Sequence, residues 1–230
     1  MICLERRLMR AQSSFFSRWF SHSVLALLLC LIMLPAQAQS KTPDETPEQL
    51  IRESIDNLMS KIEGRRGYFS EHPSELESLV DDSLRDVADF RYIGASVMGR
   101  YFRNASPAQR SRFVDTFRQT LIDTYAKGLV TFDYREVRVL DQQQDSRQSD
   151  QASVGMEVVA NDGTIYPVSY SLRLDDGQWK VVNVIVNGIN LGLTFRNQFD
   201  QAMRDNGRDY DATIDGWSPD VDVTKEGQDA

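Results

Sequence analysis

Cysteine and histidine are scarce: Cys3, Cys30, His22 and His72 are the only ones in 230 residues. Three of the four fall in the first 38 residues, which read as a secretory signal peptide. Arg6, Arg7, Arg10 and Arg18 precede an apolar run from Val24 to Leu34, and Pro35-Ala36-Gln37-Ala38 supplies an A-x-A cleavage pattern. The apolar run is roughly half the length of a membrane-spanning helix. Leu27-Leu28-Leu29 lacks the small residue that a lipoprotein site needs before Cys30. The expected mature chain begins at Gln39 without a thiol, which excludes disulfides, thiolate metal sites and cysteine nucleophiles. Neither a cofactor nor a metal is expected. His72 alone remains, ahead of Pro73 at a helix start, and no serine sits in a nucleophile-elbow sequence.

Positive charge is also in deficit. Cleavage removes four arginines and one glutamate, so the net charge moves from −8 to −11. Such a chain is repelled by nucleic acid and by anionic membrane surfaces, which argues against nucleic-acid partners and permanent membrane residence. Removing 38 of 230 residues leaves 192, enough for one domain over 39–220 with a sizeable core. A disordered tail is expected over 221–230.

What is present is periodicity. Thr46-Pro47-Glu48-Gln49 reads as an N-cap, a first-turn proline and a capping-box glutamine, followed by Leu50, Ile51, Ile55, Leu58, Met59 and Ile62 at helical spacing. Gly64 and Gly67 are expected to end that helix. Pro73-Ser74 opens a second, with Leu76, Leu79, Val80 and Leu84, and a third apolar stretch runs through Phe90, Ile93, Val97 and Phe102. Ser106-Pro107-Ala108-Gln109 repeats the start signal ahead of a long helix whose stripe is Phe113, Phe117, Leu121 and Tyr125. Past Thr131 the period becomes two, predicting strands near 134–140, 152–160, 164–174 and 178–186. Asn161-Asp162-Gly163 and Asp175-Asp176-Gly177 supply tight hairpins, and polar 141–150 a longer loop. A last amphipathic helix spans 193–206.

The expected fold is α+β, a four-stranded antiparallel meander covered by helices. On the third strand Tyr166, Val168, Tyr170, Leu172 and Leu174 share an apolar face opposite Ser169, Ser171 and Arg173. On the fourth, simple alternation sets Trp179, Val181 and Ile185 against Val182, Val184 and Val186. Periodicity alone does not separate a filled core from a hollow one.

Three motifs in order carry a resemblance. They are Asp89-Phe90-Arg91-Tyr92-Ile93-Gly94 through Gly99-Arg100-Tyr101-Phe102; Val184 to Gly192 with Phe195-Arg196-Asn197-Gln198-Phe199; and Thr213-Ile214-Asp215-Gly216-Trp217. Together they resemble the MlaC, or toluene-tolerance, family over essentially the whole mature chain. The resemblance implies a curved sheet related to the nuclear-transport-factor-2 cone, with a deep apolar pocket for phospholipid acyl chains and the phosphate headgroup near solvent. It also implies a periplasmic carrier, with no enzymatic activity, acting in outer-membrane lipid asymmetry. Its partners would be phospholipid, an inner-membrane ABC-transporter complex bearing a ring of MCE domains, and an outer-membrane MlaA–porin complex. The chain is expected to be a monomer.

On that reading the pocket wall comprises Phe90, Ile93, Phe102, Phe113, Phe117, Leu121 and Tyr125 from the first helices. Tyr166, Val168, Tyr170, Leu172, Val182 and Val184 come from the strands, and Phe195 and Phe199 from the last helix. Phe113, Phe117 and Tyr125 suit core filling equally well. Arg100, Arg103 and Arg196 suit a solvated or salt-bridged face better than a phosphate or a partner's acidic surface. Gly188 and Gly192 fit the turn from strand to helix, and Asn187 and Asn190 fit helix caps. Two other functions share the pattern: a carrier or chaperone of lipoproteins or apolar segments, and a cone-fold isomerase with a buried carboxylate base.

Overall fold

The computed structural model describes residues 45–141 and 149–221. The expected signal peptide, most of the 141–150 loop and the tail beyond Val221 lie outside the described residues.

Helix α1 (Pro47–Ile62) starts where the sequence directs: the Thr46 hydroxyl accepts from the Gln49 amide at 3.2 Å, and the Gln49 side chain accepts from the Thr46 amide at 2.9 Å. Gly64, at φ +74°, turns the chain out of it. Gly67 does not help end α1, because it lies inside a further short helix, α2 (Arg66–Glu71). Six residues are too few for periodicity to register. His72 joins α2 to α3 (Pro73–Arg85), and Asp89 caps α4 (Phe90–Met98) through the Tyr92 amide. Phe102 sits in a 3-10 turn, Gly99–Asn104, after α4. Helix α5 (Pro107–Tyr125) repeats the capping box at Ser106 and Gln109, and the one-turn α6 (Gly128–Thr131) leads into the sheet.

The sheet has five antiparallel strands in sequential order, not four: β1 (Tyr134–Val139), β2 (Gln151–Ala160), β3 (Ile165–Asp175), β4 (Gln178–Val186) and β5 (Ile189–Asn190). The extra strand exists because Asn187 (φ +50°) and Gly188 (φ +81°) form a two-residue turn with both φ positive, folding the chain back onto β4. Asn187 is therefore a hairpin residue and not a cap. Asn190 does cap a helix, accepting from the Leu193 amide at 3.0 Å at the start of α7 (Leu191–Asp205). A last short helix, α8 (Tyr210–Asp215), follows.

A bulge corrects the expected faces of β4. Ser171 pairs with Asn183 but Leu172 pairs with Val181, leaving Val182 as the extra residue. Trp179 and Val181 thereby join Val184 and Val186 opposite Leu174, Leu172, Tyr170 and Val168. Simple alternation had set these two pairs on opposite faces.

Helices α4, α5, α7 and α8 enclose an aromatic block. Phe113 and Phe199 are fully buried with ring centroids 4.6 Å apart, and Trp217 lies 5.1 Å from Phe117. Val221, expected to begin a free tail, packs against this block, and its carbonyl accepts from the Tyr125 hydroxyl at 3.4 Å.

Candidate functional site

Between the sheet and the helices lies an apolar cavity in two lobes, of about 460 and 570 Å3. The first is bounded by α1, α3, α4, α5, α7 and β4; the second lies over β1, β2 and β3 beneath α1 and α6. Ile55, Leu58, Tyr125, Leu129, Tyr170 and Val186 face both, so the lobes meet at these six side chains.

The sheet's inner face is filled at one end and hollow at the other. Ile51 of α1 packs on Val154, Leu172 and Val181, closing that end. Ile51 and Val181 also form the edge of the first lobe, and one turn on Ile55 and Leu58 stand over both lobes. The far end of α1 is fixed again, with Ile62 buried among Phe69, Leu76 and Ile122. The helix thus spans the cavity between two packed supports.

Of the residues expected in the wall, Phe90, Ile93, Phe117, Leu121, Val184 and Phe195 line the first lobe, Tyr166 and Val168 the second, and Tyr125 and Tyr170 both. Five lie elsewhere. Phe113 and Phe199 are interior to the aromatic block, one helical turn behind the wall residues Phe117 and Phe195. Leu172 is sealed under Ile51, and Val182 is the bulge residue. Phe102 packs against the block from the 3-10 turn, under the Arg110 guanidinium at 4.5 Å. The sequence reading missed the contribution of α1 and α3, notably Ile55, Leu58 and Val80, although the apolar stripe of each helix was visible.

None of the three arginines considered for a phosphate lines either lobe. Arg100 bonds Asp200 through Nε at 2.9 Å, and with Arg204 on the same carboxylate this holds the Asp200 pKa down at about 2. Arg196 lies across Gly99, where an added Cβ would stand 2.8 Å from its Nε.

Gly192 ties the rim of the first lobe to the sheet. Its amide donates to Asn183 Oδ1 at 3.0 Å, and a Cβ there would lie 2.4 Å from that oxygen. Gly192→Ala is expected to break this bond and lower stability by about 1–2 kcal/mol despite alanine's better helix propensity, as read by urea unfolding. Unchanged stability would mean that Asn183 swings clear at no cost.

Among the described residues no helix is long and apolar enough to cross a membrane. An open antiparallel sheet roofed by helices, with a two-lobed apolar cavity between them, defines an α+β protein built around enclosed space. The chain belongs to the MlaC family, whose model, "MlaC protein", matches residues 52–218. It is 35% identical to the toluene tolerance protein ttg2D of Pseudomonas putida, over 86% of this chain and 92% of the relative. It is 21% identical to the intermembrane phospholipid transport system binding protein MlaC of Haemophilus influenzae, over 76% and 80%. A phospholipid-binding protein of Ralstonia solanacearum, solved in complex with a phospholipid, has the same fold at 24% identity and a TM-score of 0.65, covering 74% of this chain and 94% of that one.

Proposed function

We propose that the protein is a periplasmic phospholipid carrier that shields acyl chains in its two-lobed cavity while they cross between the inner- and outer-membrane complexes of an Mla-type system. The observation that carries this reading is the cavity, whose walls are almost entirely side-chain hydrocarbon and aromatic ring. Exposing acyl chains to water costs about 0.8 kcal/mol per methylene, so a lipid with ~30 of them faces a penalty on the order of 20 kcal/mol. Moving that lipid from a bilayer into a cavity of similar apolarity is close to neutral, so the carrier itself needs neither ATP nor covalent chemistry. Each lobe has room for a chain of ordinary length, taking a methylene at roughly the ~30 Å3 of a liquid water molecule. The signal peptide read from residues 1–38 supports export, and the names of the relatives support the cargo.

Native mass spectrometry of protein purified from cells is expected to find diacyl phospholipid bound non-covalently, with headgroups in the proportions of the source membrane. Among the described residues no arginine or lysine lines either lobe to select among them. Protein without lipid, or with one headgroup far above its membrane abundance, would count against the reading.

A further inference from the structure

Tyr170 stands where the two lobes meet. It is deeply set, yet its ring is only half-buried because part of its surface opens on the cavity. Among the described residues its hydroxyl has one neighbour within bonding reach, the thioether sulfur of Met156 at 3.8 Å, which is a weak acceptor.

Four other cavity-facing hydroxyls are committed to backbone carbonyls. Ser54 donates to the Leu50 carbonyl at 2.6 Å, Ser83 to Leu79 at 2.8 Å, Thr131 to Lys127 at 3.0 Å, and Tyr125 to Val221 at 3.4 Å. Asn183 Oδ1 accepts from the Gly192 amide. Tyr134, which donates to the Met59 sulfur at 3.1 Å, and Tyr166 face the second lobe alone, away from the junction. A buried hydroxyl without an oxygen acceptor is costly, and a ligand that supplies one recovers that cost. Burial pushes the Tyr170 pKa up to about 12, so the group stays protonated and able to donate.

We propose that the Tyr170 hydroxyl donates a hydrogen bond to an ester carbonyl of a bound acyl lipid, at the fork where its two chains part into the two lobes. This rests on the carrier reading and adds a polar recognition element to it. A diacyl lipid carries its ester carbonyls where its chains diverge, and Tyr170 lies where the cavity diverges. A dialkyl ether lipid keeps the chains and headgroup but lacks the carbonyls, so it isolates the contact.

The test is displacement of a fluorescent phospholipid from delipidated protein by dipalmitoyl phosphatidylglycerol and by its dihexadecyl ether analogue. The parent is expected to bind the ester lipid about fivefold more tightly, the ratio that one net hydrogen bond supplies. Tyr170→Phe should keep its fold and bind the ester and ether lipids about equally, losing the preference. Equal affinity of the parent for both lipids, or a preference that survives in Y170F, would overturn the proposal and leave the carrier reading standing. Failure of both lipids to displace the probe would overturn both.

Discussion

Val168→Trp is expected to abolish phospholipid binding while leaving the protein folded. Val168 is 8% exposed and lines the second lobe, paired with Met156 on β2 and Val186 on β4. The indole enters space that an acyl chain would otherwise take. In a filled interior the same change causes overpacking that costs about 1–3 kcal/mol. The expected result is a near-normal circular dichroism spectrum and a melting temperature within a few degrees of the parent, both measured without lipid. Bound phospholipid should fall to a small fraction, and a transport-deficient strain should not be complemented. A strongly destabilised mutant that still holds lipid would show that β3 at Val168 packs as solid core and would remove Tyr166 with it from the wall.

Phe199→Ala is expected to do the reverse. Phe199 is fully buried and in edge-to-face contact with Phe113, at 61° between ring planes, behind the cavity and not on it. Deleting its ring leaves a void in a close-packed region, at a cost of about 3–5 kcal/mol. That is a large part of the stability of an ordinary domain. Urea unfolding should show the loss directly, and the molecules that remain folded should bind lipid with parental stoichiometry. Intact stability with weakened lipid binding would place Phe199 in the wall after all. The two variants together separate the part of the molecule that holds its shape from the part that holds cargo.

How much of this was legible in the sequence depends on the range of the chemistry. Both capping boxes, at Thr46 and Ser106, were readable because an N-cap is settled within four residues, and the hairpins at Gly163 and Gly177 were readable for the same reason. The signal for β5 was there as well. Asn187-Gly188 is a strong hairpin dipeptide, and reading it as a helix approach hid the fifth strand. The bulge at Val182 was hidden because Val181 and Val182 stand side by side between Lys180 and Asn183, and either valine could be the inward one. The division of the face was beyond local reading altogether. Val168 and Leu172 are four residues apart on one strand face with the same hydrophobic character, yet one borders the cavity and the other is sealed. The difference is which turn of α1 stands above each, and that is fixed by contacts more than a hundred residues away in the chain.

The support of α1 at both ends bears on the energetics of loading. Ile51 and Ile62 hold the helix as a beam is held on two piers, so the span between them is not free to sag onto the sheet when no cargo is present. An apolar void kept open in this way forgoes dispersion contacts that a collapsed interior would make. That deficit is set when the chain folds, and an arriving ligand cancels it without first having to prise the walls apart. On the carrier reading the cavity is preorganised, and a larger share of each acyl chain's contact energy then counts toward affinity.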